Sequence, residues 1–166
     1  MDAFYASTGG PPGPIICKNM RTLGIQIPII GTHAFGFNFI IALGGKAMEG
    51  VEFPAGKPVV PYQLDEDDPV RPIVTDLDKR MKDRYGQGID QLAGHAHDAI
   101  GLVYDALKRC KGKVTRAKFR NALEKTEDLT SCHGIYNYSP KDHDGLSKED
   151  IVFIRIEGGQ FKRITF

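Results

Sequence analysis

Five histidines and three cysteines are the side chains most able to ligate a metal or react, and their spacing limits what they can do. His95 and His97 lie two apart, and on a helix that offset turns the rings about 200° from each other, so they cannot share one ion. Asp142-His143-Asp144-Gly145 partly mimics a calcium loop. With Asp144-Gly145 at the loop's fifth and sixth positions, however, Pro140 and Ile151 fall where oxygen ligands are required. A turn closed by Asp side chains and Gly145 is the expectation instead. Cys132 and His133 are neighbours, and adjacent side chains seldom meet as nucleophile and base. Cys17, Cys110 and Cys132 share no CxxC spacing; one disulfide with a free thiol, or three lone thiols, both fit. Gly-x-Ser-x-Gly, Walker A and HExxH motifs are missing. The expectation is a protein without catalytic residues, metal or cofactor.

Two loops remain as candidates, and the elements around them say why. Ala3–Ala6 is a short apolar-aromatic run that ends in Ser7-Thr8-Gly9-Gly10-Pro11-Pro12-Gly13-Pro14, where glycines and prolines stop a strand. From Pro14, Ile16, Met20 and Leu23 lie on one helix face that stops at Gly24. Pro28–Gly31 reads as a second strand, running into Thr32-His33-Ala34-Phe35-Gly36. Asn38 is placed to cap a second helix with Ile40, Leu43 and Ala47 on one face and Gly50 past its end. Val51–Pro54 is a third strand. The order β-α-β-α-β with short connections implies parallel strands in an α/β layer.

Ligands of open α/β sheets bind beyond the carboxyl ends of the strands. That rule selects Thr8, Gly9, Gly10, His33 and Phe35. Gly9 and Gly10 let backbone N–H groups approach an anion at a helix N-terminus, and equally suit a tight turn needing positive φ. Gly9-Gly10-Pro11-Pro12-Gly13 is no dinucleotide fingerprint, because prolines stand where amide donors would hold phosphate. His33 can meet a ligand or simply bond to backbone. Phe35 can stack in a cleft or pack in the core.

Further along, Lys57–Asp68 reads as a crossing segment or linker. Two strong helices follow, one with Val70, Ile73, Val74, Leu77, Met81 and Tyr85 on a stripe, the next with Leu92, Ala96, Ala99, Ile100, Val103 and Leu107. A weaker helix covers Thr115–Lys125. The tail is strand signal: Gly134–Tyr138, Ile151–Ile156, a Glu157-Gly158-Gly159 turn and Phe161–Phe166. Apolar stripes of this width normally cover a sheet, and the strands that would pair with these helices are not in the sequence. Charges nearly cancel, 22 basic against 21 acidic, so net charge makes no case for a nucleic-acid partner. The basic cluster Lys108–Lys118 reads as a solvated helix end. Met1–Phe4 lacks a basic n-region and apolar h-region, so no signal peptide is expected in this chain.

Five runs, in this order, resemble the solute receptors of ABC importers for branched-chain and related amino acids. They are Gly9-Gly10-Pro11-Pro12; Leu23-Gly24-Ile25-Gln26-Ile27-Pro28-Ile29-Ile30-Gly31-Thr32-His33; Ala47-Met48-Glu49-Gly50-Val51; Ala93-Gly94-His95-Ala96-His97-Asp98-Ala99; and Tyr138-Ser139-Pro140-Lys141-Asp142-His143-Asp144-Gly145-Leu146. The resemblance implies a two-lobed type I periplasmic binding protein fold of two Rossmann-like lobes, of which this chain is the C-terminal half and so a truncated form. On that map residues 1–57 resemble the second half of the C-terminal lobe. Residues 58–130 resemble a crossing segment with helices that pack on the N-terminal lobe, and 131–166 strands returning to the C-terminal lobe.

The function so implied is that of an extracellular solute-binding component of an importer for branched-chain amino acids or related small organic acids, periplasmic or extracellular, working with an ABC permease. A stand-alone ligand-sensing or interaction domain of the same fold is the alternative. In the amino-acid receptors that the chain resembles, the loop matching His33 can carry an acid that meets the ligand's ammonium. A histidine there supplies no permanent negative charge, which turns the expected ligand toward an organic carboxylate. With one lobe's sheet lacking, a homodimer by domain swapping is a further expectation.

Overall fold

The computed structural model describes residues 2–165. Its main sheet has five strands: β1 (Phe4–Ala6), β2 (Ile29–Gly31), β3 (Glu52–Gly56), β6 (Ile151–Glu157) and β7 (Gln160–Ile164), side by side in the order β1-β2-β3-β6-β7. β1, β2 and β3 run parallel, with Ala6 opposite Gly31 and Ile30 opposite Glu52. β6 adds antiparallel to β3, and β7 antiparallel to β6. The sheet is therefore mixed. Its parallel part is the expected β-α-β-α-β run, and the final hairpin closes it through Gly158 and Gly159, both at positive φ in a two-residue turn.

Local sequence explains the connections. α1 (Pro12–Thr22) opens with prolines, whose missing N–H groups cost nothing in a first turn. It ends in a Schellman motif: Gly24 takes φ +73°, its N–H bonds to Arg21 O, and Ile25 N–H reaches back to Met20 O. α2 (Asn38–Gly44) is shorter than expected. Asn38 is its first residue and not its cap, and Gly45 at φ +55° breaks the helix, leaving Ala47 in a following 3-10 turn. Both helices pack on the sheet, where Cys17, Met20 and Ile40 meet Ile29, Val51 and Phe53.

The segment after β3 is held as a strap. Lys57 is buried and pairs with Asp68 at 3.0 Å, and Asp68 also accepts the Val70 N–H at 2.9 Å. α3 (Arg71–Tyr85) then lays Val70 and Val74 into the same core, with Ile73, Leu77 and Met81 against its edge. That stripe meets the core of this chain, against expectation; only Tyr85 at its end stands out at 60% exposed.

α4 (Gln91–Arg109) is inside out. Its buried face consists of Gln91, Gly94, Asp98 and Ala106, while the apolar stripe faces away, with Leu92 63%, Ile100 71% and Leu107 42% exposed. The uncovered apolar stripe expected from the sequence thus lies on α4, not on α3. α5 (Arg116–Leu123) packs beside α4, capped by Thr115, which accepts the Lys118 N–H. The Gly134–Tyr138 run contributes only β5 (Ile135–Tyr136), paired with β4 (Leu129–Thr130) in a separate ribbon. Asp142–Gly145 forms the expected turn: Asp142 accepts the Asp144 N–H and Gly145 takes φ +74°. Cys17, Cys110 and Cys132 are all free thiols.

The two kinds of apolar residue differ in consequence. Phe53→Ala, fully buried in central β3, should cost about 3–5 kcal/mol of unfolding free energy. Ile100→Ser on the open α4 face should change it by less than about 0.5 kcal/mol. Urea denaturation followed by circular dichroism measures both.

Candidate functional site

The carboxyl ends of β1 and β2 stand side by side in the parallel pairing, so the loops that follow them meet. Thr32 fastens them: its hydroxyl donates to Thr8 O at 2.8 Å and accepts the Ala34 N–H, capping a 3-10 turn over His33–Phe35. Gly10 takes φ +67°, which turns the chain into α1. Pro11, Pro12 and Pro14 carry no N–H, and the Gly13 N–H is used by Gly10 O. The Gly9 and Gly10 amides donate to no protein acceptor among the described residues. Two free donors therefore sit at the positive end of α1, the arrangement that attracts an anion.

Four of the five residues selected from sequence, Thr8, Gly9, Gly10 and His33, come together at this end. Phe35 does not join them, and its expected place in a cleft is corrected. Its side chain is fully buried, and a Cβ on Gly31 or Gly13 would sit 2.6–2.8 Å from its ring. The loop is short enough that Phe35 folds back beneath it, toward Phe53 with ring centroids 6.1 Å apart.

Several residues of the site were out of reach of sequence reasoning. Gln91, fully buried at the start of α4, donates from Nε2 to His33 O at 2.8 Å, and its Oε1 accepts the Gly56 N–H at 3.3 Å. One amide side chain thus ties the loops after β2 and β3. His95, a helical turn further on, lies 5.9 Å from the His33 ring and stacks on His133 at 3.9 Å with 8° between planes. His133 is buried where only glycines fit: a Cβ on Gly56 or Gly94 would lie within 3 Å of its ring. The three rings come from positions 33, 95 and 133, and no spacing along the chain signals their meeting.

Beneath the rings lies Asp98, 2% exposed. Its Oδ2 accepts His133 Nδ1–H at 2.8 Å, the His133 N–H at 3.0 Å and the Tyr136 hydroxyl at 3.0 Å. Its Oδ1 accepts the Cys132 N–H at 2.7 Å and the Ser131 hydroxyl. Burial alone would raise this carboxyl, but bonds from His133, Ser131 and the Cys132 backbone, with the His133 charge, hold it well below the usual range. Burial first, and then the same carboxylate, push the Cys132 thiol up to about 12. Burial first, and then the neighbouring imidazoles, lower His33 and His95 below the ordinary histidine value. Near neutral pH these two rings are uncharged.

Parallel strands with flanking helices, and two adjoining loops at their carboxyl ends, define a Rossmann-like α/β fold. Residues 1–160 match the family described as periplasmic binding protein, and the chain belongs to that family. Similar solved structures include Rp1789 from Rhodopseudomonas palustris (strain CGA009), at TM-score 0.89 and 23% identity over 99% of this chain and 48% of that one. An extracellular ligand-binding receptor from Rhodopseudomonas palustris HaA2 is 28% identical over 98% of this chain and 47% of that one, at TM-score 0.87. The leucine binding protein LivK from Thermotoga maritima superposes at TM-score 0.81 with 23% identity, covering 99% and 44%. The chain thus spans about half the length of these structures and takes a truncated type I periplasmic binding protein fold. No curated protein sequence matches it.

Removing the Asp98 carboxylate strands its buried donors. Asp98→Ala should cost about 3–5 kcal/mol, the scale seen when a buried charged hydrogen-bond partner is deleted, read as a fall in urea midpoint. A second outcome follows from His33. Its folded value lies below the unfolded 6.5, so the unfolded chain binds more protons as pH falls below that point. Stability should be flat well above the unfolded value and decline as pH falls below it. His33→Gln should make that decline shallower in unfolding curves taken across the range.

Proposed function

We propose that the chain forms one wall of an extracellular or periplasmic solute receptor serving an ABC importer, and that this wall meets a small organic carboxylate. The observation that carries the reading is the pair of unpaired Gly9 and Gly10 amides at the start of α1, beside His33 on the loop that Thr32 ties to them. Two amide donors and a helix N-terminus suit a carboxylate. Thr8, Gly9, Gly10, Thr32, His33 and Ala34 include no acid to meet an ammonium group. A neutral His33 adds a hydrogen-bonding ring without opposing charge. The ligand class is therefore an organic acid in preference to an α-amino acid, within a family that includes amino-acid receptors.

The division of the chain fits the same reading. Residues 1–57 and the β6–β7 hairpin build the sheet that presents the wall. The open apolar face of α4 is the surface a second lobe would cover, the permease being the partner of the complete receptor. A second copy of the chain, by domain swapping, is the other cover for that stripe. Type I receptors hold their ligands between two surfaces, and one wall gives a shallow site.

Titration of the isotopically labelled chain with benzoate, 2-oxo acids and leucine, followed by amide NMR shifts, tests the proposal. Carboxylates should move the Gly9, Gly10 and His33 amides with dissociation constants weaker than millimolar, and leucine should move them less. Leucine binding as well as or better than the acids would overturn the ligand class, and micromolar affinity in this chain alone would overturn the one-wall reading.

A further inference from the structure

On the side of α4 away from His95, a second group of side chains converges, and it has no part in the ligand reading. His97 Nδ1 lies 3.3 Å from Asp98 Oδ1, 3.3 Å from Cys132 Sγ and 3.3 Å from Ser131 Oγ. The nitrogen, carboxylate oxygen and sulfur all fall within 4.8 Å of one another. We propose that His97, Asp98 and Cys132, with Ser131 beside them, form a binding site for a zinc-like divalent cation.

The distances carry the argument. Zinc bonds of about 2.0–2.3 Å in a tetrahedron place neighbouring ligand atoms roughly 3.3–3.7 Å apart. His97 Nδ1 is already at that separation from three donors of different type. The mixture of imidazole, thiolate and carboxylate matches a borderline-soft ion and not calcium or magnesium, which take oxygen ligands. Asp98 Oδ2 is held by His133 and Tyr136, so the carboxylate is oriented from behind, as ligating carboxylates are. Asp98 and Cys132 are buried, while His97 is 34% exposed and gives the ion a way in.

Binding involves no redox change. The Cys132 S–H bond breaks, its proton leaves to solvent, and the thiolate sulfur bonds the ion. Ser131 gives up its bond to Asp98 Oδ1 and turns its hydroxyl oxygen to the fourth position. His97 keeps its proton on Nε2, leaving Nδ1 free to ligate. Cation and proton thus exchange at one sulfur, so affinity rises with pH.

Cobalt titration of the whole chain, with zinc as competitor, tests the site. The expected result is one ion per chain, a thiolate-to-cobalt charge-transfer band and tetrahedral visible bands that zinc removes. Cys132→Ser should abolish the charge-transfer band. His97→Ala should weaken binding at least tenfold, and His143→Ala, at an exposed histidine bonded to Glu124, should leave both readouts unchanged. Far-UV circular dichroism accompanies each variant. His97 is only partly buried, so its variant decides the matter if Cys132→Ser fails to fold. A folded chain without the band, a band that survives in Cys132→Ser, or unaltered affinity in His97→Ala would each overturn the assignment.

Discussion

A single buried carboxylate organises the half of the molecule that lies outside the sheet. Asp98 projects from α4 and gathers five donors from residues 131–136: two backbone amides, two hydroxyls and one imidazole nitrogen. A charge buried to this degree is tolerable only when fully satisfied, and here every donor comes from one short stretch of chain. That stretch has little regular structure of its own, since β4 and β5 are two residues each. Asp98 therefore does for it what a longer strand ladder would otherwise do.

From that anchor the rest of α4 acquires its orientation. Once Asp98 faces inward, Gln91 and Gly94 face inward with it, being seven and four residues earlier on the same helix side. Gln91 is thereby delivered between the loops after β2 and β3, and Gly94 makes room for His133. His95 falls beside His33 as a consequence. The end of the sheet that carries His33 is thus braced by a helix whose inner face is polar, which is unusual for an element of this length.

The same orientation leaves the apolar face of α4 outside. An exposed apolar stripe of that size marks a surface meant to be covered. The match to just under half of each similar solved structure is consistent with such a cover, although the fold of this chain stands on its own sheet. β3 lies at its centre, paired parallel on one side and antiparallel on the other, with Phe53 between the layers. Core and brace thus have separate physical origins, apolar burial in one and hydrogen bonding to one charge in the other.

Periodicity and punctuation alone were enough to place most elements. Prolines before α1, Gly24 after it, the apolar runs of β2 and β3 and the Gly158-Gly159 turn are local signals, and the structure follows them. The rule that ligands meet the carboxyl ends of parallel strands found Thr8, Gly9, Gly10 and His33 on adjoining loops. Pattern alone left the apolar stripes of the three helices without a sheet to cover them and could not say which would stay open. Asp98, whose donors lie some 35 positions away, turns inward and leaves the stripe of α4 outside, while that of α3 meets the core. For Phe35 the choice between cleft and core was decided by the space left by Gly13 and Gly31. The meeting of His33, His95 and His133, and of His97 with Cys132, belongs wholly to tertiary structure. Sequence spacing describes neighbours along a chain, and these groups are neighbours only across it.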